Sequence, residues 1–158
     1  MVPRTLVVLR HAKSDWSTGR PDRERPLAPR GRRQAPEAGA WLAAHLDPPG
    51  LAVVSPAERA RATWELVAAV LPEEVPVRVE ESVYAASGAE LSRVVASLPP
   101  EVESVVLVGH NPGVEDLVQD LSGGWVPMKT SAIAVLTWEG AWTDAGSARL
   151  VASGRPPA

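Results

Sequence analysis

Two kinds of apolar pattern alternate along the chain. Unbroken apolar runs occur at Leu6–Leu9 and Val105–Val108, and runs of that length predict strands covered on both faces. Leu51–Val54 and Val75–Val79 predict two shorter strands. Ile133–Trp138 and Leu150–Ala152 predict two late ones, with Gly140 marking the turn before a segment around Trp142. Between these runs the spacing becomes helical. Arg30–Leu46 lines up Ala35, Ala38, Leu42 and Leu46, and Ala57–Leu71 lines up Ala60, Trp64, Val67 and Leu71. Ala89–Leu98 and Val114–Leu121 are shorter candidates. Strands alternating with helices predict an α/β fold, a three-layer sandwich whose mostly parallel central sheet is flanked by helices.

Size and charge narrow this picture. A chain of 158 residues, 45% hydrophobic, suits one domain, read as 1–153, with Gly154-Arg155-Pro156-Pro157-Ala158 as a loose tail. A net charge of −3 gives no general attraction to nucleic acid or to an acidic membrane surface. The basic stretch of Arg20, Arg23, Arg25, Arg30, Arg32 and Arg33 is broken by acids and prolines, and reads as a solvated loop or a local anion patch. With no cysteine, disulfides, thiolate zinc sites and a cysteine nucleophile are all excluded. The start of the chain lacks a signal-type apolar stretch, so the expectation is a cytoplasmic protein with neither a nucleic-acid nor a membrane partner.

Ligands in open α/β sheets bind beyond the carboxyl ends of the strands. Three such ends carry unusual residues: Arg10-His11 after the first strand, Ser55-Pro56-Ala57-Glu58-Arg59 after the second, and Gly109-His110-Asn111-Pro112 after Val105–Val108. Ser55 and Asn111 read as helix caps, each followed by a proline at the first helical position, with Glu58 closing a capping box. Two helix starts, Arg10, Arg59, His11 and His110 would together make an electropositive crevice needing neither metal nor cofactor. Such a crevice suits phosphoryl transfer, which depends on positioning and on stabilising charge spread over three oxygens. A neutral imidazole is a competent nucleophile if its other ring nitrogen donates to a fixed acceptor such as a backbone carbonyl. Taken singly, a histidine after a strand is more often structural, and His45, near a helix end, is read that way.

The same segments resemble the histidine phosphatase superfamily, the phosphoglycerate-mutase-like fold. The resemblance rests on four motifs in order: Leu9-Arg10-His11-Ala12; Arg25-Pro26-Leu27 through Gly31-Arg32-Arg33-Gln34-Ala35; Ser55-Pro56-Ala57-Glu58-Arg59-Ala60-Arg61-Ala62-Thr63; and Val105–Val108 followed by Gly109-His110-Asn111. Short length, Arg10 through Trp16, and Thr130-Ser131-Ala132-Ile133-Ala134 are most similar to the SixA-type phosphohistidine phosphatases. The resemblance implies His11 as the phosphorylated nucleophile, with Arg10, Arg59 and His110 as the phosphate pocket. Ser17 stands where larger relatives use an asparagine on the phosphate. Asn111 is a further phosphate-pocket candidate, and Lys13 and Arg25 are candidates for the mouth. The acidic proton donor of larger relatives has its nearest counterpart in Glu81.

The expected activity is therefore metal-independent dephosphorylation, with phosphohistidine on a protein as the substrate. Its leaving group is an imidazole, which needs less help from an acid than an alkoxide does. Few residues between Pro72 and Leu98 are available to cap the crevice, which suits a side chain presented on a protein surface. The alternatives are a phosphomonoesterase acting on a small sugar or nucleotide phosphate, and a phosphate-dependent binding module without turnover.

Overall fold

The computed structural model describes residues 3–158, so the first two residues of the expected domain lie outside it. Six strands form one sheet: β1 (Pro3–Arg10), β2 (Leu51–Val54), β3 (Val77–Val79), β4 (Ser104–Gly109), β5 (Ile133–Glu139) and β6 (Arg149–Gly154). Their order is β3-β2-β4-β1-β5-β6. The first four strands pair in parallel, while β5 and β6 add antiparallel to one side. The fold is thus the expected mostly parallel α/β arrangement. The two continuous apolar runs, β1 and β4, lie at its centre, where both faces are covered.

Alternation along β1 shows how the layers form. Leu6 and Val8 pack into one apolar cluster with Leu91, Val94, Leu117 and Val118. Val7 and Leu9 pack into the other with Ala35, Leu42, Trp64 and Val67. Helices α1 (Pro29–His45) and α2 (Glu58–Ala68) therefore cover one face, and α3 (Gly88–Ala96) and α4 (Gly113–Ser122) the other. Among the described residues no helix is long and apolar enough to cross a membrane.

Several boundaries differ from the sequence expectation for physical reasons. β3 starts at Val77 because Pro76, which has no N–H, only accepts, its carbonyl taking the Ala52 N–H at 2.9 Å. Ser55 does not cap α2, whose N-cap is Ala57; its hydroxyl is engaged by a histidine instead. Asn111 does not cap α4, which begins after Pro112; its amide donates to the Met128 carbonyl at 2.7 Å. The capping box lies at α3, where Ser87 and Glu90 satisfy each other's backbone N–H groups. Gly140, at φ 112°, makes the expected turn into a short 3-10 segment, Trp142–Ser147. The last residues fold back on β6 through a bridge between Gly154 and Pro157, and Pro157 is buried.

Helix α1 approaches the backbone after β1 very closely. A Cβ on Gly31 would lie 2.1 Å from the Lys13 carbonyl oxygen. On helix propensity alone Gly31→Ala would stabilise, by up to about 1 kcal/mol. Here it is expected to destabilise by roughly 1–3 kcal/mol through overpacking. A urea midpoint that rises would contradict this contact.

Candidate active site

The site is built on register. In the sheet Val108 pairs with both Leu9 and Val54, so β1, β2 and β4 end level. The pairing continues one step beyond the strands: Ser55 N–H donates to the Val108 carbonyl and His11 N–H to the Gly109 carbonyl, both at 3.1 Å. His11, Ser55 and His110 thereby stand side by side at the carboxyl edge. The histidine rings are 5.1 Å apart between centroids.

His11 is buried, and its Nδ1 lies 2.7 Å from the Ala12 carbonyl. A carbonyl only accepts, so the proton is assigned to Nδ1 and the lone pair to Nε2. The turn after His11 is fixed from two sides. Ala12 N–H donates to Thr63 Oγ1 at 2.9 Å, and that hydroxyl donates to the Arg59 carbonyl at 2.7 Å. Ser131 N–H donates to the Arg10 and His11 carbonyls. His110 Nε2 lies 2.7 Å from Ser55 Oγ, which also accepts the Ala57 N–H. In the tautomer in which the Ser55 hydroxyl donates to Nε2, the His110 ring proton sits on Nδ1, a buried atom with no partner among the described residues.

Burial sets the charge of both rings. Desolvation, reinforced by His110, Arg59 and Arg10, lowers the His11 pKa to about 3. Desolvation and then Arg59 lower that of His110 to about 4. Both rings are neutral at neutral pH.

Around them lies a cavity of about 220 Å³, lined by Arg10, Lys13, Arg25 and Arg59 against a single carboxylate, Asp22. Ser14, Trp16, Asn111 and Thr130 complete the wall. Arg10 Nη1 donates to the Met128 carbonyl at 3.0 Å. The Nε atoms of Arg10 and Arg59 are buried without a partner among the described residues. Unpaired buried donors, neutral imidazoles and four cations form a receptor for a small polyanion. A wider depression of about 850 Å³ at the opposite sheet edge contains Asp47, Glu101 and Glu103, a charge that repels such a ligand.

Asp22 organises the mouth. Its carboxylate accepts from the Tyr84 hydroxyl, from Arg59 Nη2 at 3.1 Å and from Arg25 Nε at 3.2 Å, while its carbonyl accepts from Arg59 Nη1 at 2.7 Å. The Tyr84 hydrogen bond and then Arg59 hold its pKa down at about 2. Arg25, itself buried, donates to Ser14 Oγ at 2.7 Å and lies 3.5 Å over the Trp16 ring.

The structure thus gathers Arg10, His11, Lys13, Arg25, Arg59, His110 and Asn111 around one cavity. Two candidates fall elsewhere. Ser17 bonds to Asp15 through both its hydroxyl and its N–H, because the loop turns outward there. Glu81 pairs with Arg23 at 2.6 Å, 69% exposed, because the 3-10 turn Glu81–Val83 directs it to solvent. Sequence reasoning missed Asp22 and Tyr84. Asp22 sits in a charged, proline-flanked stretch with no periodicity, and Tyr84, the chain's only tyrosine, lies three residues after Glu81 with no motif of its own. His45 is exposed at the end of α1, as expected, with Nδ1 2.9 Å from the Trp41 carbonyl.

Keeping both rings neutral has a cost in acid. Below the ordinary histidine pKa near 6.5 the unfolded chain takes up protons that the folded chain refuses until about pH 3–4. Stability is therefore lost as pH falls through that window, at up to about 1.4 kcal/mol per pH unit for each ring. The urea midpoint is expected to fall between pH 7 and pH 4.5, and to fall less in His11→Asn. Equal falls in both proteins would mean that His11 is not held neutral by the fold.

Comparison with known proteins agrees with this geometry. The family model of the histidine phosphatase superfamily (branch 1) matches residues 6–84. An uncharacterized protein of Mycobacterium tuberculosis is 35% identical over 156 residues, covering 90% of this chain and 96% of that one. The structure of SixA from Nakamurella multipartitia superposes with a TM-score of 0.84 at 29% identity, over 98% of this chain and 96% of the other. That of the protein histidine phosphatase SixA complexed with tungstate gives 0.83 at 25% identity, over 94% and 95%. With that likeness in sequence and fold, the chain belongs to branch 1 of the histidine phosphatase superfamily and is a phosphatase of the histidine-nucleophile class.

Proposed function

We propose that this phosphatase removes the phosphoryl group from phosphohistidine on a protein, carrying it transiently on His11 Nε2. The observation behind this reading is the Nδ1–H hydrogen bond from His11 to the Ala12 carbonyl, 2.7 Å long. It leaves the Nε2 lone pair free without any general base, and burial keeps it unprotonated. That lone pair attacks phosphorus, and the bond from phosphorus to the leaving group breaks. Arg10 and Arg59 hold the phosphoryl oxygens, and His110 Nδ1–H stabilises the charge that builds on them. Water then displaces His11 and releases inorganic phosphate. With four cations and one carboxylate in the lining, the field suits an anion with no metal.

Two features favour a P–N substrate over an ester. Glu81 is turned away into its ion pair with Arg23, and Asp22, held ionised, has no proton to give. An alkoxide leaving group would find no carboxylic acid there, whereas a protonated phosphohistidine departs as neutral imidazole. The mouth is also open, with exposed Lys13 and Trp16 on its rim, as a protein-borne side chain requires. The likeness to a protein histidine phosphatase, SixA, solved with the oxyanion tungstate supports the same reading.

His11→Ala is expected to abolish turnover, and Arg59→Ala to reduce it about 10²–10³-fold if Arg59 acts as a typical oxyanion donor. Phosphorus label trapped by acid-free quenching should sit on His11, and EDTA should leave the rate unchanged. Label on another residue would overturn the assignment of His11. A wild-type preference for sugar or nucleotide phosphates over a phosphohistidine protein would overturn the substrate.

A further inference from the structure

Asp22 is unusual for a phosphate site, because a carboxylate among phosphate-binding arginines competes with the ligand. Here it is deeply integrated. Two arginines and a tyrosine donate to it, and its carbonyl engages Arg59 as well. Its side chain is nevertheless 48% exposed and lines the same cavity as His11 and His110. A carboxylate offers about four lone-pair sites. Oδ2 receives both Arg59 and Tyr84, while Oδ1 receives Arg25 alone, at 3.2 Å. One acceptor position therefore remains, on the oxygen that lies away from Tyr84.

We infer that Asp22 is a specificity-determining residue whose carboxylate accepts the N–H of a cationic nitrogen leaving group, so selecting P–N over P–O substrates. The inference rests on the proposed reaction at His11 and adds to it the group that reads the leaving side. In the step itself the substrate ring is phosphorylated on one nitrogen and protonated on the other. The His11 Nε2 lone pair forms the new N–P bond, the old N–P bond breaks, and its electron pair stays on the departing nitrogen. The proton remains on the second nitrogen, hydrogen-bonded to Asp22 throughout, and the ring leaves neutral. Asp22 gains and loses no proton. Its fixed negative charge favours the protonated, reactive form of the substrate ring. An ester oxygen has no such N–H to offer, and a carboxylate facing it is repulsive as negative charge builds there.

The test compares a phosphohistidine peptide with p-nitrophenyl phosphate, whose leaving group needs no proton, in wild type and Asp22→Asn. The substitution keeps size and removes charge. A charge-assisted hydrogen bond of ordinary strength corresponds to a roughly ten- to hundredfold change. The ratio of kcat/KM for the peptide to kcat/KM for the ester should therefore fall by about that factor in Asp22→Asn. If Asp22 only props Arg59, both substrates lose equally, the ratio stays constant and the inference is overturned; a ratio that rises overturns it too. The wild-type ratio by itself tests the proposed substrate, and its change on substitution tests Asp22, so the two can fail separately. Thermal unfolding of the variant, measured beside wild type, keeps a folding defect at the buried Arg25 and Arg59 from being read as either outcome.

Discussion

The structure depends on the pairing of Val108 with Leu9 on one side and Val54 on the other. Parallel strands that end level deliver their next residues to a common edge. A slip of one residue would turn every β4 side chain to the opposite face, sending Val105 and Leu107 away from the α3–α4 cluster that they now fill. The apolar alternation that makes the core therefore also fixes the relative heights of His11, Ser55 and His110. No loop is responsible for that alignment; it is a by-product of burying both faces of β1 and β4.

From that edge outward, order comes from backbone groups. The Ala12 carbonyl sets the tautomer of His11, the Met128 carbonyl receives both Arg10 and Asn111, and Thr63 ties the turn after β1 to the first turns of α2. Main-chain acceptors cannot rotate away or change protonation, so they hold side chains with little entropy left to lose. Desolvation then does the chemical tuning. The same burial that makes the core stable keeps both imidazoles uncharged beside two arginines.

How much of this the sequence disclosed follows from the range of each interaction. Strands β1, β2 and β4 were legible because two-sided burial writes an unbroken apolar run. The helices were legible to within a few residues because one-sided burial writes a helical spacing. Arg10, His11, Arg59 and His110 were legible because each follows such an element at a strand end or helix start. The roles of Ser55 and Asn111 as caps were misread: a polar residue before proline has the same signature whether it caps its own helix or binds a distant partner. Asp22 was hidden for the opposite reason. Its partners Arg59 and Tyr84 are 37 and 62 residues away, and nothing local distinguishes it from the solvated charges around it. Glu81 looked chemical from its neighbourhood, but a single 3-10 turn decides which way it points.

The segment between β3 and α3 stands apart from this foundation. It carries Glu81 and Tyr84 past the mouth, yet its backbone supports neither histidine, and its strand, β3, is three residues long at the sheet margin. Doubling the length of such a connection costs only about 0.6 kcal/mol in closure entropy. Among the described residues, only Tyr84 ties this connection to the site, through its hydroxyl on Asp22 and its ring edge-on to His110 at 5.7 Å between centroids. Length added elsewhere in the connection leaves the reacting atoms where the strands put them, whereas a change at Tyr84 reaches Asp22 and, through it, Arg59.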